Sequence, residues 1–524
     1  MSKKNGNVLA IGICFFLFAM IAFVTGLQNP MGIIVKTQFG ASNAMSQLGT
    51  LANFIAYAFL GLPAGFILKR KGYKFTALAA VAVGFIGVGI SYLSGVAESF
   101  TVYLLGAFVS GFSMCLLNTV VNPLLNNLGG GGNKGNRLIQ LAGSCNSLAA
   151  TICPYFVAML IGESVEKASI ADANPALFIA MAIFALAFVI VKFSYIPEPD
   201  LEAAKENKEQ EEGVGSLIKG ALSYKHFVFG IIAIFLYVGV EVGIPNTVNL
   251  YLTTKTKAQL TEIVAKNEKT IAENEAKILA YEQPAEVAEP AEAVAEEPVA
   301  EEPVAEEPVA EEATPVVEET PAVAPAEEKV EDKIAELKKE NEALAKANAE
   351  HAAKISNPDY QEGKGMDPTA AGAIVGFYWL LMLVGRLVGG VIGGKVSSRA
   401  MVTAVSAAAV VFLSVGILLP ETNVTLSFLT ADPLPLGVVF FVLCGLCTSV
   451  MWGAIFNLAV EGLGKYTSIA SGLFMVMVCG GGIVPFVQGL VADGAGFIPS
   501  FWVLVVAVAY ILWYAVSGSK VANK

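Results

Sequence analysis

The chain has 524 residues, of which 55% are hydrophobic and only 15% are charged. Soluble domains carry about 25% charged residues, so this composition excludes an ordinary soluble protein. The formal net charge of −12 is concentrated in residues 281–328, which hold sixteen Glu and no Lys, Arg or Asp; removing those sixteen charges from −12 leaves +4. The chain is therefore a mildly basic, apolar body with one acidic insert.

Twelve segments are long and apolar enough to span a bilayer, which takes about 20 residues per helix. They lie near residues 8–30, 43–68, 75–95, 100–126, 138–162, 176–195, 226–252, 369–394, 400–420, 435–461, 468–491 and 498–518. Six precede a polar stretch and six follow it. We therefore predict an all-α membrane protein of twelve transmembrane helices in two six-helix halves.

The domain boundaries follow from this grouping. Residues 1–195 are predicted as the N-terminal six-helix bundle and 196–225 as a cytoplasmic linker. Residues 226–254 and 367–524 are predicted as the C-terminal bundle. Between them, 255–366 is a Glu/Pro/Ala-rich insert on the extracytoplasmic side.

Lys and Arg set the predicted orientation. They cluster in the loops of one side, at Lys3, Lys4, Lys69, Arg70, Lys71, Lys74, Lys134, Arg137, Lys395, Arg399, Lys465, Lys520 and Lys524. The short loops opposite hold Lys36 and Lys167. By the positive-inside rule, both termini are cytoplasmic.

The insert has a Pro-rich centre and two charged flanks. Glu-Glu-Pro-Val-Ala repeats three times from Glu296 to Ala310, which favours an extended, solvated chain. The flanks carry a short heptad pattern: Val264, Ile271 and Ile278 on one side, and Ile334, Leu337, Leu344 and Ile355 on the other, with Asn341, Asn348 and His351 at the remaining seam positions. Two outcomes are open, an antiparallel helical hairpin or two separate solvated helices.

Polar side chains within the apolar segments are costly and indicate a pathway or helix packing. An amide both donates and accepts, which suits a hydroxyl, and an aromatic face can cover the C–H face of a sugar ring. The candidate substrate-binding residues are Gln28, Asn29, Asn118, Asn122, Gln140, Asn146, Asn246, Asn249, Tyr378, Trp379, Trp452 and Asn457. For any single Asn, an interhelical hydrogen bond is the competing interpretation.

Glu241 is the carboxylate that lies well inside a segment, and it is the candidate ion-coupling residue. The alternative is a structural acid paired with a neighbouring helix. Arg386 is the one obvious cation within the segments, and we expect it near the cytoplasmic end of its helix. A dedicated anion site would need more cationic groups than this.

Enzymatic chemistry has little support. The seven Cys lie in apolar runs, the two His are far apart, and no nucleophile–base or metal constellation is visible. No nucleotide-binding motif occurs. We predict no cofactor, no metal and no nucleic-acid partner.

Three stretches carry a resemblance to a known family. They are Pro63-Ala64-Gly65 through Lys69-Arg70-Lys71-Gly72-Tyr73-Lys74, then Leu236 to Gly243, and finally Gly462 to Thr467 with Ala470-Ser471-Gly472-Leu473 and Gly480 to Pro485. In these the chain resembles the fucose/galactose/glucose:cation symporter family of the major facilitator superfamily. The resemblance covers the twelve segments and not residues 255–366.

The resemblance implies import of a monosaccharide by alternating access, coupled to a proton or sodium gradient, in a bacterial inner membrane. Proton-coupled members of the family carry an Asp in span one and a Glu in span four, and the matching positions here are Asn29 and Asn118. A Gln of the family in span five is matched by Gly143, whereas Asn146 keeps a family amide. Because Asn cannot release a proton, the family's two titrating groups are missing.

Four hypotheses remain open. Glu241 takes over cation coupling, the protein is an uncoupled sugar facilitator, or its substrate is a sugar derivative such as an amino sugar. The fourth is a transporter-like sensor or tether whose external insert binds an extracytoplasmic partner.

Overall fold

The structure is a computed structural model that describes residues 3–27, 31, 34, 38, 43–130, 132–161, 170–198, 214–282, 324–392, 396–419, 422–426 and 433–521. Its contacts divide the chain into two compact units. One is made of Met1–Thr256 and Asp359–Lys524, and the other is Lys257–Pro358, which lies inside the predicted insert.

Both units are built from helices. In chain order these are α1 (Lys3–Gly26), α2 (Asn43–Ser46), α3 (Leu48–Val96), α4 (Phe100–Leu128), α5 (Gly132–Ile161), α6 (Asn174–Phe193), α7 (Val214–Leu222), α8 (Lys225–Thr253), α9 (Lys257–Glu282), α10 (Ala324–Ser356), α11 (Pro368–Ile392), α12 (Ser398–Leu418), α13 (Leu436–Thr448), α14 (Met451–Val460), α15 (Thr467–Val476), α16 (Gly480–Ala495) and α17 (Phe497–Trp513). Short 3₁₀ turns lie at Ile170–Ala173, Gly464–Tyr466 and Met477–Cys479. A π-turn at Tyr514–Gly518 continues α17. Two short antiparallel strands, β1 (Asn423–Val424) and β2 (Leu434–Pro435), pair between α12 and α13.

The described residues of each of the twelve predicted segments lie mainly on one helix or on a run of adjoining helices. Within the described ranges, 9 helices are long and apolar enough to cross a membrane, and the pair α13–α14, bent by 43°, makes a tenth. One of the nine, α3, is 49 residues long and covers two predicted segments. The fifth predicted segment lies in α5, which is not among the nine. The predicted number of twelve is consistent with this set of helices.

The long helix α3 is broken where its two predicted segments meet. Gly72 has φ 84° and ψ 177°, a backbone conformation that favours glycine. The next two backbone N–H groups, of Tyr73 and Lys74, donate to the Glu198 carboxylate at 2.6 and 2.9 Å. The first N–H groups of a helix have no acceptor within the helix, and a carboxylate at this end also interacts favourably with the helix dipole. Glu198, just after α6, therefore caps the second segment of α3.

Replacing Glu198 with glutamine is expected to lower the stability of the purified protein by about 1 kcal/mol, as loss of a helix cap does. The amide keeps one acceptor oxygen but loses the charge and the second acceptor. Thermal unfolding in detergent measures the effect. Glu98→Gln serves as the control, because Glu98 is exposed. Equal thermal stability of Glu198→Gln and the parent would contradict the capping role.

Small residues bring the helices of the larger unit close together. A Cβ added at Gly87 of α3 would lie 2.6 Å from the backbone N of Ser110 in α4. In the glycine run 480–482, a Cβ at Gly481 would lie 2.7 Å from a ring carbon of Phe54, and one at Gly482 2.7 Å from the Cα of Leu51. Membrane helices use such residues for close packing. The run packs α16 against α3.

The smaller unit is an antiparallel helix pair with a heptad seam. The Asn267 amide donates to the Asn348 Oδ1 atom at 2.9 Å, and the Asn274 amide donates to the Asn341 Oδ1 atom at 3.0 Å. Residue numbers therefore increase along α9 as those of their partners decrease along α10, so the two helices are antiparallel. The structure confirms the hairpin alternative for the two flanks, with partly buried Asn pairs that specify register.

Candidate functional site

A central cavity lies within the larger unit, between helices of the N-terminal and C-terminal parts of the chain. It encloses about 1130 Å³ of space free of protein atoms, part of it open to solvent. Its polar and aromatic lining comes from α1, α3, α4 and α5 on one side and from α8, α11, α14 and Ser449 on the other. The part that can hold water or solute measures about 150 Å³, about ten times the 10–15 Å³ that one water molecule needs, so this cavity has room for a small solute.

Most of the candidate residues found in the sequence meet at this cavity. Those that line it are Asn118, Asn122, Gln140, Asn146, Asn246, Trp379, Trp452 and Glu241. Asn249, Tyr378 and Asn457 are not part of its lining. Gln28 and Asn29 lie outside the described residues. Residues from spans far apart in sequence therefore share one cavity.

The α4 amides form a hydrogen-bonded row with Tyr57 of α3. The Asn118 amide donates to the Tyr57 hydroxyl at 3.0 Å, and the Asn122 amide donates to the Asn118 backbone carbonyl at 2.9 Å. The Asn122 Oδ1 atom has no partner among the described residues. A buried acceptor of this kind is costly when left unpaired, and a hydroxyl donor would satisfy it.

Two other amides both line the cavity and join helices. The Asn146 amide donates to the Phe18 backbone carbonyl at 3.1 Å, which ties α5 to α1. The Asn246 amide donates to the Gln47 Oε1 atom at 2.9 Å, which ties α8 to the start of α3. Asn146 and Asn246 therefore both form an interhelical hydrogen bond and line the cavity.

An ion pair forms the only charged part of the cavity lining that the structure describes. The Arg386 Nη2 atom of α11 donates to the Glu241 Oε1 atom of α8 at 3.1 Å, and the two side chains are 10% and 14% exposed. The Arg386 Nη1 atom also donates to the Gly143 carbonyl of α5 at 2.6 Å. The two charges cancel, so the wall carries no net charge for an anionic or a cationic solute.

Pro245 explains why the Tyr378 hydroxyl hydrogen-bonds the backbone of α8. A proline inside a helix has no N–H for the carbonyl four residues earlier, which here is that of Glu241. The Tyr378 hydroxyl donates to this carbonyl at 3.2 Å and lies 3.1 Å from the Thr448 hydroxyl. Tyr378 therefore supports the backbone at Glu241 from behind the cavity wall.

Two tryptophans supply flat apolar faces. Trp452 packs edge-on against Phe474 with ring centroids 5.8 Å apart. Trp379 packs edge-on against Tyr378 with centroids 5.3 Å apart. Rings held by aromatic neighbours in this way are preorganised to cover an apolar ligand face.

The candidate residues chosen from the sequence do not include Tyr57, and they name Arg386 and Gly143 without placing them in one site. Arg386 lies in the last third of α11, as expected, and there it pairs with Glu241 in the cavity wall. An arginine inside an apolar segment is at least as costly as a carboxylate, so the argument that selected Glu241 would also have selected Arg386. Among the described residues, no group of three or more His, Cys, Asp and Glu could hold a metal ion.

Comparison with known proteins gives one family and several relatives. Residues 12–264 match the model of the Major Facilitator Superfamily. A glucose/galactose transporter of Brucella abortus biovar 1 (strain 9-941) is 24% identical over 522 residues, which cover 99% of this chain and 96% of the relative. The L-fucose-proton symporter of Escherichia coli (strain K12) is 21% identical over 265 residues, which cover 46% of this chain and 60% of the relative.

A solved structure shares the fold. The crystal structure of a Major Facilitator Superfamily transporter, FucP, in the outward conformation superposes with a TM-score of 0.59 and 16% identity. The match covers 98% of this chain and 100% of that one.

Proposed function

The chain belongs to the major facilitator superfamily, and from that premise we propose that it is a secondary active transporter that imports a monosaccharide or close derivative in symport with a cation. Relatives named as glucose/galactose and L-fucose-proton transporters support this proposal. The observation that carries it is the cavity itself, which joins amides, two tryptophans and a charge-neutral ion pair between the two halves.

The cavity chemistry suits a neutral polyhydroxylated solute. Asn118, Asn122 and Gln140 present amides on one side, and Trp379 and Trp452 present rings on the other. Amides pair with hydroxyls in either direction, and an aromatic ring covers the C–H face of a sugar. The ion pair adds no net charge, which favours an uncharged sugar over a sugar acid.

Glu241 is the proposed coupling group. The family resemblance matches the Glu of proton-coupled members to Asn118, which is hydrogen-bonded to Tyr57 and, as an amide, cannot release a proton. Glu241 lies in the same cavity and contacts Arg386, so its charge state affects groups on α11 as well as α8. Coupling would thus reside in the C-terminal half.

A proton fits this site better than sodium does. The Arg386 guanidinium is already 3.1 Å from the Glu241 carboxylate, and a second cation there would be repelled strongly in a medium of low dielectric constant. Sodium would also need several further oxygen ligands in place of the guanidinium. A proton adds to the carboxylate without displacing it.

Alternating access requires bonds between the halves to break and re-form. On the predicted outer side, the Asn246 amide bonds Gln47, and the Ala44 N–H donates to the Asp493 carboxylate at 3.1 Å. Both bonds join an N-terminal to a C-terminal element. Their rupture would accompany opening of the cavity to the outside.

Uptake of labelled sugars into proteoliposomes tests the proposal. We expect one or more monosaccharides to accumulate against their gradient when a pH gradient is imposed, and accumulation to collapse on adding a protonophore. Accumulation with a sodium gradient alone would identify the other cation, and uptake that only equilibrates would indicate a facilitator. No uptake of any monosaccharide would overturn the proposed function.

Deleting residues 257–358 separates the transporter from the tether hypothesis. The chain ends that flank the deletion are joined within the larger unit: the Tyr360 hydroxyl donates to the Lys255 carbonyl at 2.9 Å, and the Lys364 N–H donates to the Tyr251 carbonyl at 2.9 Å. A short Gly/Ser linker should therefore keep the larger unit folded, with sugar uptake per molecule within about twofold of the parent. Loss of uptake from well-folded, monodisperse protein would show that the insert takes part in transport.

The proposed location is a bacterial inner membrane with both termini in the cytoplasm. The distribution of Lys and Arg between the loops supports this orientation. Attachment of an accessible tag at either terminus, followed by protease treatment of intact spheroplasts, tests it.

A further inference from the structure

The Arg386 guanidinium links three helices across the boundary between the halves. Its Nη2 atom donates to the Glu241 carboxylate of α8, and its Nη1 atom donates to the Gly143 carbonyl of α5. Helices α8 and α11 belong to the C-terminal part of the chain, whereas α5 belongs to the N-terminal part. At 2.6 Å the bond to Gly143 is short, as hydrogen bonds from a charged donor are.

Gly143 makes room for this contact because it has no side chain. A Cβ added there would lie 3.4 Å from the Arg386 Nη1 atom and 3.5 Å from its Cδ atom. A methyl group would therefore just touch the arginine, whereas a longer side chain would compete with the guanidinium for the same space. The backbone carbonyl of a helix still has a second lone pair, which Arg386 uses.

We propose that Gly143 is a positioning residue that holds the Arg386 guanidinium between the two halves, so that the charge on Glu241 is coupled to the separation of α5 from α11. The inference rests on the proposed function, in which Glu241 carries the coupling charge. With Glu241 ionised, Arg386 is held by a carboxylate of one half and a carbonyl of the other. When Glu241 takes up a proton, its hydrogen bond with Arg386 weakens. The strength of the bond from Arg386 to the Gly143 carbonyl, which joins the two halves, changes as a result.

Gly143→Leu and Gly143→Ala test the proposal in proteoliposomes. Leucine should lower pH-driven accumulation about tenfold, shift the pH profile of transport, and reduce sugar exchange less than accumulation. Alanine should cost less than leucine. Gly372→Leu on α11 is the control for a bulky residue, because nothing lies within 4 Å of a Cβ there, and it should transport like the parent. An equal loss of exchange and accumulation with an unchanged pH profile would overturn the proposal.

A double-mutant cycle with Arg386→Gln separates this inference from the proposed function. If Gly143 acts through Arg386, adding Gly143→Leu to Arg386→Gln should cause no further loss of accumulation and no further fall in Tm. The inference would be overturned if the double variant lost accumulation by the product of the two single-variant factors and lost Tm by the sum of the two single-variant decreases. The Tm cycle needs no sugar, so it still decides whether Gly143 positions Arg386 if the parent transports no sugar and the proposed function fails.

Discussion

Replacing Glu241 with glutamine is expected to abolish accumulation driven by a pH gradient while sugar exchange across the membrane continues. Glutamine keeps an oxygen that can accept from the Arg386 Nη2 atom, now 3.1 Å from the Glu241 carboxylate, but it cannot carry a proton. With one proton per sugar, each pH unit supports about a tenfold concentration ratio, since it corresponds to about 1.4 kcal/mol. The variant should reach a ratio of one at any gradient. Labelled uptake and counterflow in the same proteoliposomes measure both quantities.

Glu461→Gln is the matched control for this substitution. Glu461 follows α14, its side chain is exposed, and it is absent from the cavity lining, so its variant should accumulate sugar like the parent. Full accumulation by the Glu241 variant would exclude Glu241 as the coupling group. Loss of exchange as well as accumulation would instead assign Glu241 to substrate binding.

Removing Arg386 alone should destabilise the protein far more than neutralising both members of the pair. The Glu241 side chain is only 14% exposed in the parent structure, and Arg386→Leu removes the counter-ion of its carboxylate. Breaking a buried ion pair from one side costs about 3–5 kcal/mol, whereas replacing both partners is often nearly neutral. We therefore expect a large fall in thermal stability for the single variant and recovery in Glu241→Gln with Arg386→Leu. The recovered double variant should still fail to accumulate sugar.

Arg399→Leu provides the comparison for the loss of an arginine that has no paired carboxylate among the described residues. Its guanidinium donates to the Ser519 hydroxyl at 3.2 Å and to the Ser519 carbonyl at 3.1 Å. Losing such bonds costs about 1.5–3 kcal/mol each at most, and a second substitution at Glu241 should not restore it. Equal losses for Arg386→Leu and for the double variant would contradict the compensation expected of the pair.

Sequence reasoning predicted the helical fold well because its signals are local. Apolar length placed every segment on a helix, and seven-residue spacing identified both arms of the hairpin, whose Asn267–Asn348 and Asn274–Asn341 pairs the structure shows. The two segments predicted within α3 also meet at a break in the structure, at Gly72. The capping carboxylate of the second segment was not accessible from local sequence, because Glu198 arrives from beyond α6.

The sequence predicted only some of the residues that line the cavity. Polarity within apolar segments selected Asn118, Asn146 and Trp379, but the same criterion also selected Asn249, Tyr378 and Asn457, which do not line it. One turn of a helix separates a residue that faces a cavity from one that faces a neighbouring helix. Polarity alone carries no information on that direction.

The sequence by itself determined the apolar segments, the polar residues inside them, the acidic insert and its heptad flanks, because each depends on residues close together in the chain. The tertiary structure alone decided that Glu241 pairs with Arg386, 145 positions away, and that Arg386 reaches the Gly143 carbonyl. Those contacts depend on how helix faces pack, which follows from shape and from the absence of a side chain at Gly143. The charge balance of the proposed site is thus a property of the folded chain.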